Sequence, residues 1–367
     1  MIDPILVPVG DVRNAADPTT GYGRVTDSYR IGKYEVTIGE YATFLNAVAS
    51  SGDDAELWNS AMGSDSTSAG ISRSEGTAPY TYTVTGPAGI TPTGATSPAQ
   101  RPITYVNWYD AARFANWMAN GQPTGGQTSA TTENGAYDLV SATPGTVPSR
   151  NAVNPNTGAA PSFFMPSENQ WYKAAYYAPT PRTTENGSYN LARSTGGRAV
   201  ARNAVNPNTR AAPTFFIPTE NEWYKAAYYT PDKGGVPGYN LYATQQDVAP
   251  TNNPASTGGP IVNYLQGVIY CVTQSAVFSP TQNYLTDASA FATSGSHYGT
   301  LNQNGTVYQW NDLAGARGLL RGLRGGFWAG GAITLRKETF TQVTATREAN
   351  DAGFRLVAGP AVVTRRP

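Results

Sequence analysis

The sequence predicts an α+β domain with much irregular loop, on three observations. The 367 residues include 39 Gly and 27 Pro, while 40% hydrophobic and 11% aromatic residues are enough to bury a sizeable core. Four stretches place a capping residue ahead of an apolar stripe at helical spacing. Between them lie short runs of alternating or β-branched residues broken by turn formers, which read as short strands and hairpins.

Thr37 and Glu40 form a capping box ahead of Tyr41, Phe44, Leu45 and Val48, so a helix is expected from about residue 38 to about 50, ending near Ser51-Gly52. Asn107 caps a second helix carrying Trp108, Ala111, Ala112, Ala115, Trp117 and Met118, with Gly121 as its left-handed stop. Residues 52–100 read as loop and hairpin, with Tyr80–Val84 the best strand candidate. The middle of the chain is a tandem repeat. Residues 131–182 and 183–234 align without a gap and match at 33 of 52 positions. Each unit carries its own helix behind a proline and a capping box, Ser167-x-x-Gln170 in the first and Thr219-x-x-Glu222 in the second.

Lys plus Arg and Asp plus Glu both number 25, and no basic block is present, which argues against nucleic acid or an anionic membrane as partner. One cysteine, Cys271, permits no intrachain disulfide. The first seven residues lack a basic n-region and a long apolar run, and no stretch has the length of a membrane span. Polar bulk comes from Asn, Thr, Ser, Gly and Tyr, a composition that suggests an extracellular or cell-surface protein whose address tag is not visible. Motif blocks spread from residue 32 to residue 356 argue for a single domain spanning 1–367.

Five ordered blocks carry a family resemblance. They are Gly32-Lys33-Tyr34-Glu35-Val36-Thr37 with Tyr41–Leu45, then Arg101–Ala112, Pro218-Thr219-Glu220-Asn221-Glu222-Trp223, Gly305–Trp310, and Arg324-Gly325-Gly326-Phe327-Trp328 with Gly353-Phe354-Arg355-Leu356. Together the blocks resemble the formylglycine-generating, or sulfatase-modifying, enzyme family. That resemblance implies a C-type-lectin-like architecture of a few helices packed on small antiparallel sheets. It also implies that the two active-site cysteines of the enzymes would fall on Gly330 and Leu335, so the chain is expected to be a non-enzyme.

The chemistry left open by that loss is narrow. Soft thiolates hold copper, and neither Gly330 nor Leu335 can supply one. Cys271 sits between strand-like flanks and reads as a buried inert thiol. A single histidine, His297, cannot build the three-histidine iron site of the sulfoxide synthases that resemble this fold, nor a histidine-rich zinc site or a serine triad, and it reads as a loop residue. No copper or iron is therefore expected. Calcium remains an expectation of the resemblance, through Asn263, Asp287 and Ser289 in one region and Gly305, Val307 and Gln309 in another. Gln309 stands where the family has Glu, and a buried hydrogen-bonded glutamine is the competing reading.

Single-copy relatives leave one repeat unit over. Either it packs on the parent domain as an appendage, or its aromatic face, Trp171, Tyr172, Tyr176 and Tyr177, docks on a neighbouring subunit and makes a homo-oligomer or polymer. The segment from Phe327 to Asp351 has a conventional frame and anchors, Trp328 and Leu335, but an interior without a clean period of two or 3.6. Phe327, Ile333, Arg336, Glu338, Phe340, Gln342 and Arg347 are the candidate ligand-binding residues there. This layout resembles the variable proteins of diversity-generating retroelements; the competing reading is a plain solvated loop face. Three functions follow: a lectin-like binding protein for a protein or glycan, a self-assembling surface protein, and a residual formylglycine-type oxidase.

Overall fold

Thr37 starts the first helix as its spacing requires. In the computed structural model its hydroxyl accepts from the Glu40 backbone N–H, and the Glu40 carboxylate accepts from the Thr37 N–H at 2.8 Å. The structure describes residues 1–10, 16–17, 19–25, 28–86, 89–91, 94–140, 148, 150–176, 239–311 and 320–358. The second repeat unit, Tyr177 and the Pro218–Trp223 motif lie outside the described residues.

In chain order the elements are β1 (Leu6–Val9), β2 (Tyr29–Gly32), α1 (Ile38–Val48), α2 (Ala61–Ser64), β3 (Ile71–Arg73), β4 (Tyr82–Val84), β5 (Gly89–Thr91), β6 (Gly94–Thr96) and α3 (Trp108–Ala119). They continue with β7 (Phe163–Phe164), α4 (Glu168–Tyr176), β8 (Leu265–Gln266), β9 (Ile269–Tyr270), β10 (Tyr308–Asn311), β11 (Leu320–Arg324), β12 (Thr341–Thr344), β13 (Ala352–Gly353) and β14 (Val357–Ala358). One four-stranded sheet runs β1-β2-β14-β7 and the other β12-β11-β10-β13, with β12 at an edge of the second. Short strands, three two-stranded hairpins and three of the expected helices make the class α+β.

The main core lies between α1, α3 and the two sheets. Tyr41 and Phe44 of α1 meet Phe114 of α3 at ring-centroid distances of 6.1 and 5.2 Å, and Phe114 meets Phe354 at 5.4 Å. Asn107 and Asp110 form the second capping box, and Gly121 follows α3 at φ +82°. Ser167 and Gln170 complete a third, so the first repeat unit does bring a helix. The opening strand ends at Gly32, earlier than the Gly32–Thr37 block suggests, because Thr37 is committed to the cap.

The expectation that Trp171, Tyr172 and Tyr176 face another subunit is corrected. All three are fully buried in their own chain, packed with Ala175, Ala243, Tyr22 and Tyr239. An aromatic face is as good a core surface as an interface, and α4 is seated from residues on both sides of the repeat. Among the described residues no helix is long and apolar enough to cross a membrane.

Candidate functional site

The positions at which the resemblance sets paired thiols are filled by the chain itself. A Cβ added to Gly330 would stand 2.7 Å from Thr334 Oγ1 and 2.9 Å from the Phe327 ring. The Gly330 carbonyl accepts from the Leu265 N–H at 2.9 Å, tying the segment to β8. Leu335 is buried among Tyr242, Val262 and Tyr264, and its carbonyl holds the Asn304 amide at 2.8 Å. Cys271 is buried, and burial pushes its thiol up to about 12, so it stays protonated and poorly nucleophilic at neutral pH. Its strand-like flanks are corrected: only Ile269–Tyr270 pair as a strand, and Cys271 begins a turn. His297 is an exposed loop residue.

Beyond Leu335 the chain extends, and its exposure alternates. Arg336, Glu338, Phe340, Gln342, Thr344 and Thr346 are exposed, whereas the odd-numbered residues between them are half-buried or buried. Only Thr341–Thr344 of this run is strand, where alternate side chains leave opposite faces; Arg336–Thr339 is a turn closed by the Thr339 N–H on the Arg336 carbonyl at 2.9 Å. β12 pairs antiparallel with β11, Thr341 opposite Leu323 and Val343 opposite Arg321, which puts the odd positions on the face of those buried residues. Gln342 and Thr344 lie on this edge strand, and the other exposed positions of the stripe flank it in turn and loop. Ile333, 66% exposed, sits just before the stripe in the 3-10 turn Ala332–Leu335.

Two of the seven candidate contact residues have partners within the chain: Phe327 packs on Tyr308, ring centroids 5.1 Å apart, and Arg347 pairs with Asp351 at 2.7 Å. Arg336, Glu338, Phe340, Gln342 and Ile333 are exposed.

At Phe340 the stripe packs against the chain itself. Arg324, opposite Phe340 in the β11–β12 register extended by one residue, is fully buried, ion-paired to Glu168 of α4, and donates to the Lys337 and Thr339 carbonyls at 2.8 and 3.1 Å. Its guanidinium lies 4.9, 5.1 and 5.1 Å from the ring centroids of Tyr22, Tyr172 and Phe340. Lys337, the inward residue between two exposed ones, pairs with buried Asp17 at 2.7 Å, and Tyr172 donates to the same carboxylate at 2.6 Å. Burial would raise the Asp17 carboxyl, yet the bonds from Lys337 and Tyr172 leave it below the usual range. The N-terminal loop and α4 thus hold one end of the stripe rigid. Neither Asp17 nor Tyr22 was legible as part of this surface, since no local pattern links residues that meet across the whole chain. Phe278, 45% exposed and stacked on Tyr284 and Trp328, is a second exposed aromatic that sequence reasoning passed over.

Around the residues expected to take calcium, the Asn263 and Asp287 backbone carbonyls and the Gln309 side-chain oxygen accept from protein donors. Asn263 donates through Nδ2 to the Tyr284 carbonyl at 2.8 Å, and its own carbonyl accepts from the Thr306 N–H at 2.8 Å. Asp287 is buried with Arg101 as a charged neighbour, and its carbonyl accepts from Asn302 Nδ2. Gln309 Oε1 accepts from Trp171 Nε1 and Arg355 Nε, both at 2.8 Å, while Nε2 donates to the Asn302 carbonyl at 2.6 Å and Glu35 Oε1 at 3.2 Å. A side chain that presents N–H to the neighbouring carbonyl does not fit a hard cation, which takes oxygens only. Among the described residues no group of three or more His, Cys, Asp or Glu side chains could hold a metal ion.

With this geometry in view, the comparisons with known proteins are these. The model of the sulfatase-modifying factor enzyme 1-like domain matches residues 3–212 and 186–359. Among solved structures, variable protein 1 of Treponema denticola is similar at 16% identity and a TM-score of 0.39, covering 97% of this chain and 95% of its own. CarF is similar at 16% identity and 0.45, covering 98% and 100%, and PvdO from Pseudomonas aeruginosa at 13% and 0.36, covering 97% and 92%. No curated protein sequence matches significantly.

Proposed function

Since this chain belongs to the family of sulfatase-modifying factor enzyme 1-like domains, we propose that it is a non-catalytic member that works by contact, presenting the stripe from Arg336 to Thr346, with Ile333, as a lectin-like recognition surface for a protein or glycan. One observation carries the reading: in a run whose alternate residues are half-buried or tied to the core, the exposed residues are a cation, an anion, an aromatic ring, an amide and two hydroxyls. Apart from Phe340, which packs over the buried Arg324, that mixture faces solvent. It supplies hydrogen bonding, charge and stacking on a rigid base, the combination that recognition surfaces use. An extracellular site of action belongs to the same proposal.

The loss of chemistry supports it from the other side. With no room for a Cβ at Gly330 and hydrocarbon at Leu335, paired thiols have no place, and the protonated, buried Cys271 does not replace them. An array of displayed proteins and glycans probed with the full chain tests the proposal: retention of at least one class of probe is expected, and an array with no retained probe contradicts it. Copper titration with a cysteine-containing peptide is expected to give no oxygen uptake, and uptake would restore the oxidase reading.

A further inference from the structure

Gln309 stands where the family resemblance sets a calcium ligand, and its surroundings define which way its amide points. The Trp171 indole N–H and the Arg355 Nε–H can only donate, and both reach the same atom at 2.8 Å, so that atom is the oxygen. The NH2 therefore faces the Asn302 carbonyl and the Glu35 carboxylate. Arg355 spends its other protons on the carbonyls of Gly32 at 2.9 Å and Leu301 at 2.8 Å, and its guanidinium lies 3.9 Å from Glu35 Oε2. Three carbonyls and a carboxylate, all buried, converge on these two side chains. Such an oxygen-rich shell suits a hard divalent cation, and here amide and guanidinium protons satisfy it instead.

We propose that the Gln309 amide takes the place of a divalent cation at this point of the fold, and that residue 309 decides whether the site needs calcium. An amide supplies both an acceptor for Trp171 and Arg355 and a donor for Asn302. A carboxylate keeps the first and loses the second, and it adds a second negative group beside Glu35. A bound cation would reconcile two carboxylates with the Asn302 carbonyl, and without one a carboxyl has to keep its proton.

Thermal unfolding of the full chain tests this, with wild type, Gln309→Glu and Gln309→Leu each measured in excess EDTA and in millimolar calcium. Gln309→Glu is expected to melt lower than wild type in EDTA and to gain several degrees more from calcium than wild type does. Wild type and Gln309→Leu should respond to calcium alike. A wild-type calcium response that Gln309→Leu removes would overturn the proposal, as would a Gln309→Glu response no larger than that of wild type. Should Gln309→Glu fail to fold, calorimetric titration of calcium into wild type and Gln309→Leu decides: equal stoichiometry upholds it, and one ion fewer in Gln309→Leu overturns it.

Discussion

Trp171 joins the repeat to the centre of the molecule through one hydrogen bond and a buried ring. Its Nε1–H is one of two donors to Gln309 Oε1, so Trp171→Phe removes a partner from a buried acceptor and should cost about 1–3 kcal/mol. Trp171→Ala also empties the space and should cost about 3–5 kcal/mol. Urea unfolding of the two variants separates the bond from the packing. Close by, burial lifts the Glu35 carboxyl to about 7, against the opposing pull of Arg355 and Gln309. A raised carboxyl binds its proton more tightly folded than unfolded. Its stabilising share is therefore complete below about pH 4.5 and is lost as pH rises through about 7. The loss is on the order of 3 kcal/mol at most, at 1.36 kcal/mol per unit. Comparing urea midpoints from pH 5 to pH 8, Glu35→Gln should decline less steeply than wild type; parallel curves would contradict this.

At the scale of elements, the helices were legible because each start is local. Thr37 with Glu40, Asn107 with Asp110 and Ser167 with Gln170 each satisfy backbone donors within one turn, so spacing alone announces them. The alternation of the stripe was not legible. Its less exposed residues include Lys337, Thr339 and Thr341, polar because their partners are Asp17 and the buried end of β11, and hydropathy therefore shows no alternation where exposure has one. Substituting Arg336, Glu338 and Gln342 together by Ala should change unfolding stability by no more than about 1 kcal/mol, because exposed side chains cost little, whereas Phe340 packs over the buried Arg324 guanidinium. Lys337→Ala, by contrast, leaves the buried Asp17 carboxylate without its cation and should cost about 3–5 kcal/mol. Gly330→Ala should also destabilise, by about 1–3 kcal/mol, since Thr334 and Phe327 must give way to the new methyl. Chemical denaturation of these three proteins tests all three expectations.

Across the whole molecule, the first repeat unit supplies the helix on which the centre depends. α4 gives Trp171 to Gln309, Glu168 to Arg324 and Tyr172 to Asp17, and these bonds reach β10, β11 and the N-terminal loop. Deleting residues 183–234 in register should leave a chain that melts cooperatively within a few degrees of the parent, because the helix of the first unit already fills this part of the core. Failure to fold would assign the core helix to the other unit. The family frame was readable from Arg324-Gly325-Gly326 and Gly353-Phe354-Arg355. In the structure Gly325 and Gly326 take φ +101° and +78° where a side chain would strike the Gln303 carbonyl and Leu335, and Arg355 is the buried hub beside Gln309. What such a frame holds up is a matter of the residues set on it. The most direct measurement is a paired binding assay, with wild type and the Arg336→Ala, Glu338→Ala, Gln342→Ala triple variant applied side by side to the same protein and glycan array. Recognition through the stripe predicts that probes retained by wild type are lost by the variant while its melting temperature stays unchanged; equal retention by both proteins would contradict it.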